Sequence, residues 1–145
     1  MQVRRIITGH DAAGKSTVTI DDLASNATSR RPGHQSRLIW VTDSAPAKYA
    51  GSADEGARQV GRPPPPRGTV FRVIDIGPGC TAEMHRTETV DYVIVMSGEM
   101  DMVLETGTVH LNPGDVIVQR GTLHNWVNNG TEPCRIAAIL IDGQP

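Results

Sequence analysis

Short β-branched runs, punctuated by glycine, proline and asparagine, set the pattern of this chain, most densely in its second half. TVFRVIDI at 69–76 reads as a strand closed by GPG. The stretch TVDYVIVMSGEMDMVLETGTVHL reads as three strands with turns at Ser97-Gly98 and Thr106-Gly107. NPGD then turns into VIVQ, RGT into LHNWVN, and NGTEP into CRIAAILID. Strands recurring about every 8–12 residues with such turns predict an antiparallel sandwich or barrel. No stretch carries the 3.6-residue period of an amphipathic helix, so the class is all-β.

The first half is looser. Val3 to Ile7 and Thr17 to Ile20 are β-branched runs around a polar, Gly-containing turn. Beyond them the chain is mostly Ser, Ala, Pro, Gly and charge as far as Gly68, interrupted by RLIWVTD at 37–43, which reads as a strand, and SADEGARQV, which suits a turn of helix. RPPPPR at 62–67 must be extended and cannot lie in a central strand. The organisation expected is one structural domain: a hairpin and irregular arm at 1–68, packing on a barrel core at 69–145.

One stretch invites a different reading. GHDAAGKST, from Gly9 to Thr17, fits the phosphate-binding pattern G-x-x-x-x-G-K-[ST], and AAILID ending at Asp142 imitates its acidic partner strand. That loop works by leading from a strand into a helix whose amides face the phosphates. Here Lys15 is followed by STVTI, a run that suits a strand. The stretch is read as a hairpin turn, and no nucleotide cofactor is expected.

The charge balance narrows the partners. Lys and Arg number 14 against 16 Asp and Glu, a net charge of −2, and the signs are interspersed. No basic stripe follows a phosphate backbone, so nucleic acid is not an expected partner. No apolar run spans a bilayer and none resembles a signal peptide, so neither a membrane partner nor export is expected. Two cysteines, Cys80 and Cys134, suit a reduced, cytoplasmic setting.

Histidine, with five residues, carries most of the candidate chemistry. His85 lies in GCTAEMHRTETVDYVIVMSG and His124 in GDVIVQRGTLHNWVN, both rich in glycine and polar residues. These segments resemble the two signature motifs of the cupin superfamily. In the first, Gly79 is followed after five residues by His85, Thr87 stands at the second histidine's place, Asp91 at the glutamate's, and Gly98 closes the motif. In the second, Gly114 opens, Arg120 sits where proline is expected, and His124 and Asn128 follow one residue early. The resemblance is strongest over residues 69–142.

The resemblance implies a double-stranded β-helix, or jelly-roll, barrel with one divalent metal held inside. His85 and His124 match ligand positions outright, and Asp91 is a shorter carboxylate at a third. Two histidines and one carboxylate suit non-heme Fe(II), and equally Zn, Mn or Ni. Thr87 departs from the pattern. Strand alternation adds Thr87, Gln119 and Trp126 to the pocket, with Met100 and Met102 as further lining. Arg72 and Arg120 are candidates to grip a substrate carboxylate. Two functions follow: a metal-dependent enzyme of dioxygenase, isomerase, decarboxylase or cyclase type on a small organic ligand, or a non-catalytic binding cupin that has lost its metal. The long arm and open sheet edges predict a homodimer.

Overall fold

The computed structural model describes all residues from Met1 to Pro145. Eleven strands and one short 3-10 turn make up its regular structure, and the strands fall into three antiparallel sheets. β1 (Arg4–His10) and β2 (Ser16–Leu23) form a hairpin of their own. A six-stranded sheet runs in the order β3 (Ala27–Thr28), β4 (His34–Thr42), β5 (Thr69–Ile76), β11 (Cys134–Asp142), β6 (Thr89–Ser97), β9 (Val116–Arg120). Facing it is a three-stranded sheet ordered β10 (Asn125–Val127), β7 (Met100–Leu104), β8 (Gly107–Leu111). The two facing sheets close into the barrel that the strand spacing predicts, of the jelly-roll kind that the cupin resemblance implies. No helix is long and apolar enough to cross a membrane.

Alternation builds the barrel. Along β6, Thr89, Asp91, Val93 and Val95 are buried, while Tyr92, Ile94 and Met96 face outward. Inward residues of the two sheets meet in a core that includes Ile76, Val93, Val95, Met100, Leu111, Cys134 and Ile136. Both cysteines are buried free thiols, and burial pushes Cys134 up to about 11. At the β6–β7 turn, Gly98 has a φ of +71° and lies against the backbone of Pro133, with which any Cβ would collide. The closing glycine of the first motif is therefore a packing requirement.

The hairpin expected at GHDAAGKST is present, and Lys15 leads into β2 rather than into a helix. Asp11 Oδ1 accepts from the amides of Ala13 and Lys15, closing the turn on itself. Arg5, buried on β1, grips Asp22 of β2 and Asp54 before the 3-10 turn (Glu55–Ala57), which anchors the hairpin to the arm. Met1, Val3, Ala24 and Ile39 pack with Val73 and Phe71 on the outer surface of the large sheet. The N-terminal region is more than an arm, however: β4 pairs with β5 from end to end and belongs to the barrel wall. β4 begins at His34 rather than Arg37, and a register irregularity between Leu38 and Trp40 breaks its alternation.

Asn128, fully buried, ties the barrel end together. Its Nδ2 donates to the carbonyls of Ile76 and Glu132 at 2.8 Å each, and its Oδ1 accepts from Gly130 N–H. Asn128→Ala strands these buried groups and should lower unfolding free energy by about 3 kcal/mol, measured by urea denaturation.

Candidate functional site

His85 and His124 face each other across an isolated antiparallel bridge. Each residue's amide donates to the other's carbonyl at 3.0 Å, so both side chains leave the same face. The imidazole centroids stand 4.5 Å apart with their planes inclined at 55°. The ring of each is also fixed by its own chain. His85 Nδ1 lies 2.9 Å from the Glu83 carbonyl, and His124 Nδ1 lies 2.9 Å from the Thr122 carbonyl. A carbonyl only accepts, so both Nδ1 atoms carry the proton, and in the neutral rings both Nε2 atoms are left as acceptors. Burial holds His124 below the ordinary histidine range, which keeps its lone pair available near neutral pH.

The rings open onto a cavity lined on other sides by Thr87, Asp91, Gln119, Trp126 and Arg72. Trp126 meets His124 edge-on with centroids 5.4 Å apart. Thr89 Oγ1 donates to Asp91 Oδ1 at 2.6 Å, and Thr87 Oγ1 is 2.7 Å from Thr89 Oγ1. Because the Thr89 proton is spent on Asp91, Thr87 is the donor in that second bond. Burial pushes the Asp91 carboxyl above its ordinary range, against the lowering effect of the Thr89 bond. Gln119 presents its amide nitrogen 3.5 Å from His124 Nε2, and its Oε1 is buried without a partner.

The cupin-domain family pattern matches residues 72–141. The cupin-domain-containing oxidoreductase fogC of Aspergillus ruber is 37% identical over 150 residues, spanning 97% of this chain and 73% of that protein. The chain belongs to the cupin family. A similar cupin-domain-containing oxidoreductase, virC of Hypocrea virens, is 35% identical across 97% of this chain and 76% of its own length. Among solved structures, the polyketide cyclase RemF of Streptomyces resistomycificus superposes with a TM-score of 0.56 at 24% identity, covering 82% of this chain and 75% of that one.

This cupin departs from its expected site in three places. Met100 and Met102 do not line the cavity; they are buried in the core beneath it, where β7 faces Val95 and Leu111. Arg120 is exposed on the outside, beside Arg86 and Gly143. Asp91 shares the cavity, but no three His, Cys, Asp or Glu side chains stand together as a metal-holding group.

Sequence reasoning also missed one whole wall. His34 and Ser36 point inward from β4, and Arg30, Arg31 and Arg62 reach the cavity from the connections beside it. The available signal was the alternation of His34, Ser36 and Leu38, hidden because the strand was taken to start later. His34 Nδ1 accepts from the Arg30 amide at 3.3 Å, which leaves the proton of the neutral ring on Nε2.

Burial first, then the charges of Arg31, Arg30 and Arg62, push His34 down to about 4. An unfolded histidine titrates near pH ~6.5, so the folded state resists protonation that the unfolded chain accepts. The His34 contribution is therefore full above that value and is lost as pH falls toward 4. The difference in unfolding free energy between wild type and His34→Gln should change by up to about 1.4 kcal/mol per pH unit within that window and stay flat above it.

Proposed function

We propose that this cupin is a metal-dependent enzyme of oxidoreductase type, acting on a small organic molecule held inside the barrel. The observation that carries the reading is the paired arrangement of His85 and His124: both Nδ1 protons are spent on backbone carbonyls, and both Nε2 lone pairs open on one cavity. Ligating histidines are commonly oriented by just such an outer hydrogen bond. The names of the relatives fogC and virC, both oxidoreductases, support the reaction class.

The ion would be held by the Nε2 atoms of His85 and His124, displacing the Gln119 amide nitrogen that stands 3.5 Å from His124 Nε2, and by Gln119 Oε1 once that amide is turned over, with Fe, Mn, Ni and Zn all compatible with nitrogen and oxygen donors. A bound ion supplies Lewis-acid polarisation of a substrate oxygen. Around it, Trp126 and the apolar side chains of Ile74, Val93 and Ile136 exclude water from the substrate's body. Asp91 is the group suited to exchange a proton with the bound molecule, since its raised carboxyl holds a proton more readily than an exposed aspartate. Thr89 and Thr87 orient that carboxyl.

Metal analysis after reconstitution with each ion in turn tests this. Wild type should hold about one ion per chain, His85→Ala and His124→Ala should hold none, and Gln119→Leu should bind about tenfold more weakly. Failure of the wild type to retain any ion would leave the non-catalytic binding protein as the correct reading. Asp91→Asn should retain its metal; loss of the ion in that variant would make Asp91 a ligand instead.

A further inference from the structure

The charge lining the cavity is one-sided. Four arginines reach it (Arg30, Arg31, Arg62 and Arg72), against a single carboxyl, Asp91. None of the four has an acidic partner: the ion pairs of this chain involve Arg4, Arg5, Arg58, Arg135 and His110. Arg72 is 7% exposed and donates to the carbonyls of Gly61 and, more distantly, Val60, which hold the neighbouring Arg62 segment against the cavity. Arg31 Nε and Ser36 Oγ are buried with no hydrogen-bond partner. His34 adds an Nε2–H donor on the same side. Arg72 is buried, Arg31 and Arg62 are half-buried and Arg30 is exposed; a buried guanidinium with like charges beside it and no counter-charge is costly, and an anion that reaches it offsets that cost.

We propose that this wall is a carboxylate-binding subsite, and that the molecule this cupin takes is a small organic acid with an apolar body. The planar guanidinium matches a carboxylate in a two-bond grip, and the hydroxyl and imidazole donors suit the remaining lone pairs. The apolar lining of Ile74, Val93, Ile136 and Trp126 accepts carbon rather than charge. An acid anchored on the arginines directs its far end toward His85 and His124. Burial first, and the nearby Arg30 charge second, hold Arg72 below the usual arginine range.

This inference deepens the proposed function by naming the substrate class, and rests on that reading only in taking the barrel cavity as the substrate site. It is therefore tested on chelator-stripped protein, without any metal or turnover. Benzoate serves as the probe, benzamide as its neutral counterpart of the same shape, and inorganic phosphate as a non-planar anion, each titrated by calorimetry. Benzoate should bind about tenfold or more tightly than either, and its affinity should fall as salt is raised. Arg30→Gln and Arg62→Gln, at the less buried end of the wall, should each weaken benzoate, together by about tenfold or more, with benzamide unchanged. Arg62→Lys should recover only part of the loss, since it restores charge without the fork. Thermal melting of each variant establishes that it is folded. Equal binding of benzoate and benzamide, or benzoate binding untouched by the double variant, would overturn the subsite; phosphate binding as tightly as benzoate would overturn the carboxylate assignment. None of these outcomes depends on whether the histidines hold an ion.

Discussion

Everything chemical in this protein hangs on the reciprocal pair of backbone hydrogen bonds between His85 and His124. Neither residue lies within a long strand, so side-chain packing alone would leave both rings free to turn. The bridge removes that freedom by placing the residues directly opposite one another, and the carbonyls of Glu83 and Thr122 remove what is left by claiming both Nδ1 protons. The geometry of the site is thus set by the main chain, and the wider barrel need only keep the two segments in register.

The barrel does so by dividing its interior into two levels. At one level the inward positions are apolar, and Val95, Met100, Met102, Leu111 and Cys134 pack together. At the other, the same strands turn inward residues that are polar or charged: His34 and Ser36 on β4, Arg72 on β5, Asp91 on β6 and Gln119 on β9. Their mutual exclusion of close packing is what leaves a cavity. The apolar level supplies the stability that lets the polar level carry unpartnered donors.

The strands of the second half were legible because their alternation is regular and their turns carry glycine; the limits of β5 and β11 coincide with TVFRVIDI and CRIAAILID. The same alternation turns Asp91 inward and Tyr92 outward in the structure. It placed Met100 and Met102 inward too, but pattern does not tell which level of a barrel an inward side chain occupies, and both fell in the filled one. The arginine wall was hidden for a different reason. Arg30, Arg31 and Arg62 lie in segments without periodicity, and only the pairing of β4 with β5 brings those segments to the barrel.

That origin has a consequence for how such a protein can change. The family pattern covers residues 72–141, which contain both histidines, Asp91 and Gln119. Arg30, Arg31, His34, Ser36 and Arg62 all precede it. Most of the wall proposed to grip the substrate therefore comes from a stretch of sequence separate from the two histidines, with Arg72 of β5, bonded to the Gly61 carbonyl, linking the two. Insertion, deletion or exchange in the earlier stretch re-cuts the lock while leaving the tool behind it untouched, a separation that lets one barrel be retailored to new acids, or to neutral molecules, without rebuilding its centre.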